Sequence, residues 1–184
     1  MIIAAKAERP GLAEMIKAGY RHDGPVTNIR PPRDDERDRL AALLTERWGS
    51  PIVVSRGVSH DLRELPTFVA DEDGEIVGIV TYAPGADSAE ITSLDALHPD
   101  RGIGTDLLDA VINVALQNGW RRLWLVTTND NTRALRFYQR RGWDLVAMHR
   151  GAVTSARGVK PEIPERGADD IAIRHELELE LHFQ

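Results

Sequence analysis

The chain has 184 residues, a formal net charge of −6 and no cysteine. That length fits one domain with a real buried core, and the negative balance excludes a global basic field of the kind that drives nucleic-acid binding. The missing thiols exclude disulfides, thiolate metal sites and a cysteine nucleophile. No apolar run approaches membrane-spanning length and Met1–Pro10 lacks the apolar core of a signal peptide, so a cytoplasmic protein with no membrane partner is expected.

Residues 1–25 read as an N-terminal extension with one short helix, Leu12–Ala18, stopped by Gly19 and by Gly24-Pro25. A single domain is expected over 26–184. It begins with a short strand, Val26–Arg30, ended by Pro31-Pro32. Asp34-Asp35-Glu36 supply an acidic first turn to a helix with Leu40, Leu43, Leu44 and Trp48 on one stripe, closed by Gly49. Ile52–Ser55 is a short strand and Arg56–Pro66 a loop. Thr67–Ala70 and Glu75–Tyr82 form a hairpin about Asp71-Glu72-Asp73-Gly74. Pro84-Gly85 turns the chain into an Ala89–Leu97 strand. The helix Ile103–Asn118 turns Ile103, Leu107, Leu108, Val111, Ala115 and Leu116 inward and stops at Gly119. Arg122–Thr128 is apolar on both faces, as a central strand would be. A helix over Asn131–Arg141, a strand over Trp143–His149 and a short helix over Ala152–Lys160 follow, then a loop over Pro161–Asp170. A last strand, Ile171–Leu181, alternates Leu177, Leu179 and Leu181 against Glu176, Glu178 and Glu180, the pattern of an edge strand with one wet face. A strand meander followed by strand–helix–strand–helix–strand predicts a mixed α/β (α+β) sheet, mostly antiparallel, with helices on both faces.

The chemistry concentrates between Ala89 and Trp143. The Ala89–Leu97 strand runs through His98-Pro99-Asp100 into Arg101-Gly102-Ile103-Gly104-Thr105 and a helix. A strand that brings glycines to a helix N-terminus builds an anion site from bare N–H groups and the positive end of the helix dipole. On the next helix, at about 100° per residue, Asn131, Leu135 and Tyr138 share one face and Arg133, Arg136 and Arg140 the other, so Tyr138 points inward.

These residues, with the Asn131, Ala134, Tyr138, Gly142, Trp143 spacing, resemble the acyl-CoA-dependent N-acetyltransferases of the GNAT superfamily, most specifically over 67–149. The resemblance implies a sheet of about seven strands and acetyl-CoA as co-substrate. The pyrophosphate would lie on Arg101, Gly102, Ile103, Gly104 and Thr105. Two adjacent strands would splay to admit the pantetheine arm, whose amides would pair with backbone near Leu94, Ala96 and Leu97. Asn131 would touch that arm, and Tyr138 would protonate the departing thiolate as general acid. The family's loop is a hexad ending in a small residue. Here Arg101–Asp106 ends on Asp106, and aligning Gly102-Ile103-Gly104 with the second half puts Pro99 at the arginine position, so the loop reads two residues short.

Glu90 stands in an Ala-Glu-Ile string where histone-acetyltransferase relatives carry a catalytic glutamate, but the residues leave the base open between Glu90, Asp95, His98 and water. With no cysteine to carry the acyl group, direct attack by a small-molecule or peptide amine is implied, in a monomer or homodimer. The acceptor pocket is expected from the Asp34–Arg47 helix, the Arg56–Pro66 loop and the Gly151–Asp170 segment, where Asp61, Glu64, Glu162, Glu165, Asp169 and Asp170 suit a cationic amine. The six histidines lack metal spacing, so no metal is expected, and the four tryptophans read as packing. A catalytically silent acyl-CoA sensor of the same fold is the alternative.

Overall fold

The computed structural model describes residues 27–98 and 101–183. The expected extension 1–25 with its Leu12–Ala18 helix lies outside them, as do Pro99 and Asp100. Strand β1 (Asn28–Arg30) stops before Pro31-Pro32, and a 3₁₀ turn over Asp34–Glu36 leads into α1 (Arg37–Trp48). Gly49 closes α1 at φ 74°, a left-handed geometry that a β-carbon disfavours. Then come β2 (Ile52–Ser55), β3 (Val58–Asp61), β4 (Thr67–Glu72), β5 (Glu75–Pro84) and β6 (Ser88–Ala96). They are followed by α2 (Ile103–Gln117), β7 (Arg122–Thr128), α3 (Thr132–Gln139), β8 (Asp144–His149), α4 (Ala152–Ala156) and β9 (Glu176–His182).

Seven strands form one sheet in the order β1-β4-β5-β6-β7-β9-β8. All neighbours are antiparallel except β6 and β7, which run parallel and are joined across α2. This is the mixed, mostly antiparallel sheet expected from the sequence. Successive residues of a strand face opposite sides, and β4 shows it: Ala70 packs in the cluster under α2 and Val69 in the cluster under α1. The α2 side buries Leu107, Leu108, Val111 and Ala115 against Val77, Val80, Ile91, Leu123 and Leu125. The α1 side buries Leu40 and Leu44 against Ile76 and Ile79, with Val53 from a separate β2–β3 hairpin and Leu62 just after it. Each such aliphatic side chain contributes roughly 1.5–3 kcal/mol of burial. Gly78 is where α2 comes closest to the sheet: a β-carbon there would lie 2.7 Å from Ile103 Cγ2 and 2.9 Å from Leu107 Cδ1.

Three expectations are corrected. The Arg56–Pro66 stretch is not all loop, because Val58–Asp61 pairs back on Ile52–Ser55 through a two-residue turn. Leu116 is 46% exposed and Ile112 takes the inward position; at about 100° per residue Leu116 falls one step past the edge of the buried stripe. The last strand is neither an edge nor wet on its glutamate side. It starts at Glu176, lies between β7 and β8, and buries Glu176 and Glu178 to 4% and 5% exposure because Arg56, Arg122 and His149 meet their carboxylates. The edge at that end of the sheet is β8, with Leu145, Val146 and Met148 facing out.

A buried ion network joins β1, the 3₁₀ turn and β4. Arg30 donates to both Glu36 oxygens at 2.8 and 2.7 Å and also to Asp71, while the Arg33 N–H donates to Glu36 at 2.7 Å. Arg30 first, then the Arg33 N–H, hold the Glu36 carboxyl down from 4.5 to about 2. A lowered carboxylate stabilises the fold above its unfolded value and loses that contribution as pH falls through the folded one. Glu36→Gln is therefore expected to be less stable than the parent at pH 7. The gap should close as pH is lowered from 4.5 toward about 2. Denaturant unfolding across that window checks it, and parallel curves for the two proteins would exclude Glu36 from the acid response.

Candidate active site

The site starts from a break in the sheet. Parallel β6 and β7 pair only over Ser88–Glu90 with Arg122–Trp124 and then part. Beyond that point β6 remains paired with β5, and β7 with β9, so the two strands diverge with one edge each left open. The β5–β6 register steps from Tyr82↔Ile91 to Thr81↔Ser93, which makes Thr92 the extra residue of a bulge just past the last paired position. Bulges bend a strand and re-aim its side chains. Here the hydroxyls of Thr81, Thr92 and Ser93 join at 2.7 Å to satisfy the irregularity. Leu97 donates its N–H to Val77 on the β5 side at 2.9 Å. Edge direction alternates along a strand, so Leu94 and Ala96 present their backbone groups to the gap while the Leu97 N–H is already taken.

The mouth of the gap faces the start of α2. Gly102 caps that helix at φ 81°. The Thr105 N–H donates to the Gly102 carbonyl at 2.7 Å, which leaves Gly102, Ile103 and Gly104 as the loop N–H groups not taken up by the described residues. Arg101 is held by Glu72 at 2.9 Å. The cation on the first turn is instead Arg141, which donates to Thr105 Oγ1 and, at 3.0 Å, to the Phe137 carbonyl. Its guanidinium lies 3.8 Å over the Phe137 ring, and its buried Nε has no partner among the described residues. No sequence signal marked Arg141 beyond its place three residues after Tyr138.

Asn131 caps α3, its side chain accepting from the Ala134 N–H at 3.1 Å. Tyr138 is 6% exposed, packed against Phe137 and Trp143 with ring centroids 5.0 and 5.3 Å away. Burial pushes its phenol above the ordinary value, opposed only by the Arg141 charge. The hydroxyl therefore keeps its proton at neutral pH and has no hydrogen-bond partner among the described residues.

Glu90, at the last paired position of β6, lines a cavity of about 440 Å³ with Ser55, Arg56, His60, Ser88 and Trp124. His60 Nε2 lies 3.3 Å from one Glu90 oxygen, and the other oxygen is buried with no hydrogen-bond partner among the described residues. Burial raises the Glu90 carboxyl, Ser55, His60 and Arg56 oppose the rise, and Glu176 adds to it. Of the other two residues considered for the base, Asp95 gives both oxygens to Arg47 at 2.7 and 3.0 Å, and His98 is exposed. A second cavity of about 430 Å³ lies between Val54, Arg56, Gly57, His149, Ala152, Ser155, Ala156 and Val159. Burial pushes Glu178 up, but His149, Arg56 and Arg122 outweigh it and hold the carboxyl below its ordinary value. Sequence reasoning placed the Arg56–Pro66 segment at the acceptor pocket without singling out Arg56 or His60, missed His149, which lies far from the glycine turn in the chain, and treated Trp124 as packing although it lines the first cavity. Among the described residues no three His, Asp or Glu side chains gather as a metal site. No helix there is long and apolar enough to cross a membrane.

Residues 30–143 match the model of the Acetyltransferase (GNAT) family. The chain belongs to that family. It is 39% identical over 159 residues to the uncharacterized protein YxbD of Bacillus subtilis, covering 85% of this chain and 99% of that one. Among solved GNAT folds it is similar to an IAA acetyltransferase from Bacillus cereus, with a TM-score of 0.67 at 19% identity over 86% of this chain and 100% of that one. It is also similar to a GNAT family acetyltransferase from Elizabethkingia anophelis with acetyl-CoA bound, with a TM-score of 0.62 at 21% identity over 85% and 98% of the two chains. The parted β6–β7 pair and the glycine-capped α2 thus stand in a GNAT sheet.

Proposed function

We propose that residues 26–184 form one N-acetyltransferase domain that moves an acetyl group from acetyl-CoA to an amine in a ternary complex. The observation that carries this reading is the parting of β6 from β7 immediately after Glu90 and Trp124. An open strand edge offers Leu94 and Ala96 to an amide-bearing arm as an added strand would, and the N–H groups at the start of α2 lie where its phosphates would rest. The amine gives a proton to Glu90, directly or through His60 or water, and attacks the thioester carbonyl. As the C–N bond forms and the C–S bond breaks, Tyr138 protonates the leaving sulfur. One proton leaves the amine for Glu90 and one reaches the thiol from Tyr138; solvent returns the Glu90 proton to the phenolate, and the products are an amide and free CoA. The absence of cysteine agrees with direct attack rather than an acyl-enzyme.

Calorimetry with acetyl-CoA tests the first half. Saturable binding is expected, and no detectable heat at millimolar ligand overturns the reading. Free thiol release across an amine panel tests the second. Tight binding with no release from any amine would make the chain an acyl-CoA sensor.

A further inference from the structure

The β2–β3 hairpin turns on Arg56 and Gly57, with Ser55 paired to Val58. Both turn residues are left-handed, at φ 49° and 79°. That is the two-residue I′ geometry, whose first position favours Asn, Asp or Gly. An arginine there is strained by its β-carbon, and such strain persists where the surroundings over-determine it. Three contacts do so. The Arg56 N–H donates to Glu176 at 3.0 Å, the guanidinium carbon lies 5.1 Å from the centroid of the Trp124 ring, and Nη1 is 3.7 Å from Glu178.

What the guanidinium lacks is a hydrogen bond. None of its donors makes one among the described residues, and Glu178 is already shared by Arg122 and His149. The side chain is 44% exposed, and Arg56 is the residue common to both cavities. On one side is the Glu90–His60 pair, and on the other a lining of Val54, Ala152, Ala156 and Val159. The acids expected to draw a cationic acceptor are elsewhere. Asp61 and Asp170 are held by Arg63 and Arg166, and Glu64, Glu162, Glu165 and Asp169 are exposed and line neither cavity.

Building on the proposed acetyltransferase function, we infer that the acceptor is a carboxylate-bearing amine with an apolar body, of the α-amino-acid class, and that Arg56 is its specificity residue. Three groups radiate from one carbon in such a molecule, and three receivers radiate from the hairpin tip. The amine turns to Glu90, the carboxylate takes the guanidinium donors that make no hydrogen bond among the described residues, and the side chain enters the second cavity against Val54, Ala152, Ala156 and Val159. A single negative charge suits the place better than a phosphate, because Glu90, Glu176 and Glu178 are buried close by. The chemistry stays as above, with the amine proton taken up and the thiol released.

The test compares leucine and phenylalanine with their amides and their decarboxylated amines, read as CoA release, with acetyl-CoA calorimetry in parallel. For the parent protein the free amino acids are expected to lead by about 10–10²-fold in kcat/KM, the scale of a hydrogen bond to a charged group. Arg56→Asn suits the left-handed turn and removes the fork. It should stay folded, bind acetyl-CoA equally well and lose the preference. Amides or simple amines used as well as the amino acids overturn the inference. So does a preference that survives in Arg56→Asn, or acetyl-CoA binding with no turnover of either amino acid. Failure of acetyl-CoA to bind instead overturns the proposed function on which the inference rests.

Discussion

Replacing Tyr138 by phenylalanine will lower kcat by roughly 10²–10⁴-fold while leaving acetyl-CoA affinity nearly unchanged. The change keeps the ring between Phe137 and Trp143 and removes only the hydroxyl. Without a donor the thiolate must leave as an anion in a site that burial has made poor at holding charge. Burial raises the phenol above its ordinary value, so at neutral pH it stands protonated and can pass its hydrogen to the sulfur as the C–S bond breaks. A purely packing role makes a different forecast. Tyr138→Phe would then change stability by about 1 kcal/mol at most and leave turnover intact. Steady-state kinetics and melting of the one variant separate the two, and a fully active Tyr138→Phe protein removes Tyr138 from the chemistry.

Glu90→Gln is expected to show the second large loss, again about 10²–10⁴-fold in kcat/KM, with a distinctive pH signature. A base works when deprotonated, so activity in the parent rises with pH through the Glu90 value. Burial lifts that value above the ordinary 4.5, so the rising limb should lie above the usual carboxylate range. The variant should lose this limb. Its stability should move the other way. A carboxyl raised in the folded state stabilises below its unfolded value and loses that contribution as pH rises through the folded one. At neutral pH Glu90 is therefore a liability to the fold, and Glu90→Gln should melt higher than the parent even as it slows. A variant that is slower and also less stable, or one whose pH limb is unchanged, would return the base to water or His60.

Much of the frame was legible because it obeys local rules. Gly49 after the Leu40–Leu44 stripe, Asp73-Gly74 between alternating runs and the glycines at 102 and 104 each act within a few residues of themselves. The errors arose where distant partners decide. Glu176 and Glu178 alternate with leucines as a solvated face would, and only the arrival of Arg56, Arg122 and His149 from other elements lets that face be buried. Arg56-Gly57 is a weak turn signal, because arginine is a poor first residue for the geometry it adopts; what holds it is Glu176, some 120 positions away. The glycine turn and Tyr138 could be read as a motif, whereas His60 and Trp124 become part of one cavity only through the fold.

The single parallel pair in the sheet has a consequence for how the site can drift in sequence. Antiparallel neighbours can be joined by a tight turn, but parallel ones need a crossover that starts at the far end of the first strand. Strands β6 and β7 part toward that same end, so the crossover helix must begin at the mouth of their gap. The opening and the positive helix terminus are placed together by connectivity, and both are made of main chain. Arg101 can be drawn away to Glu72 without moving either the opening or the helix terminus. Side chains on this scaffold are left to choose the guest, while the seat itself is drawn by the path of the backbone.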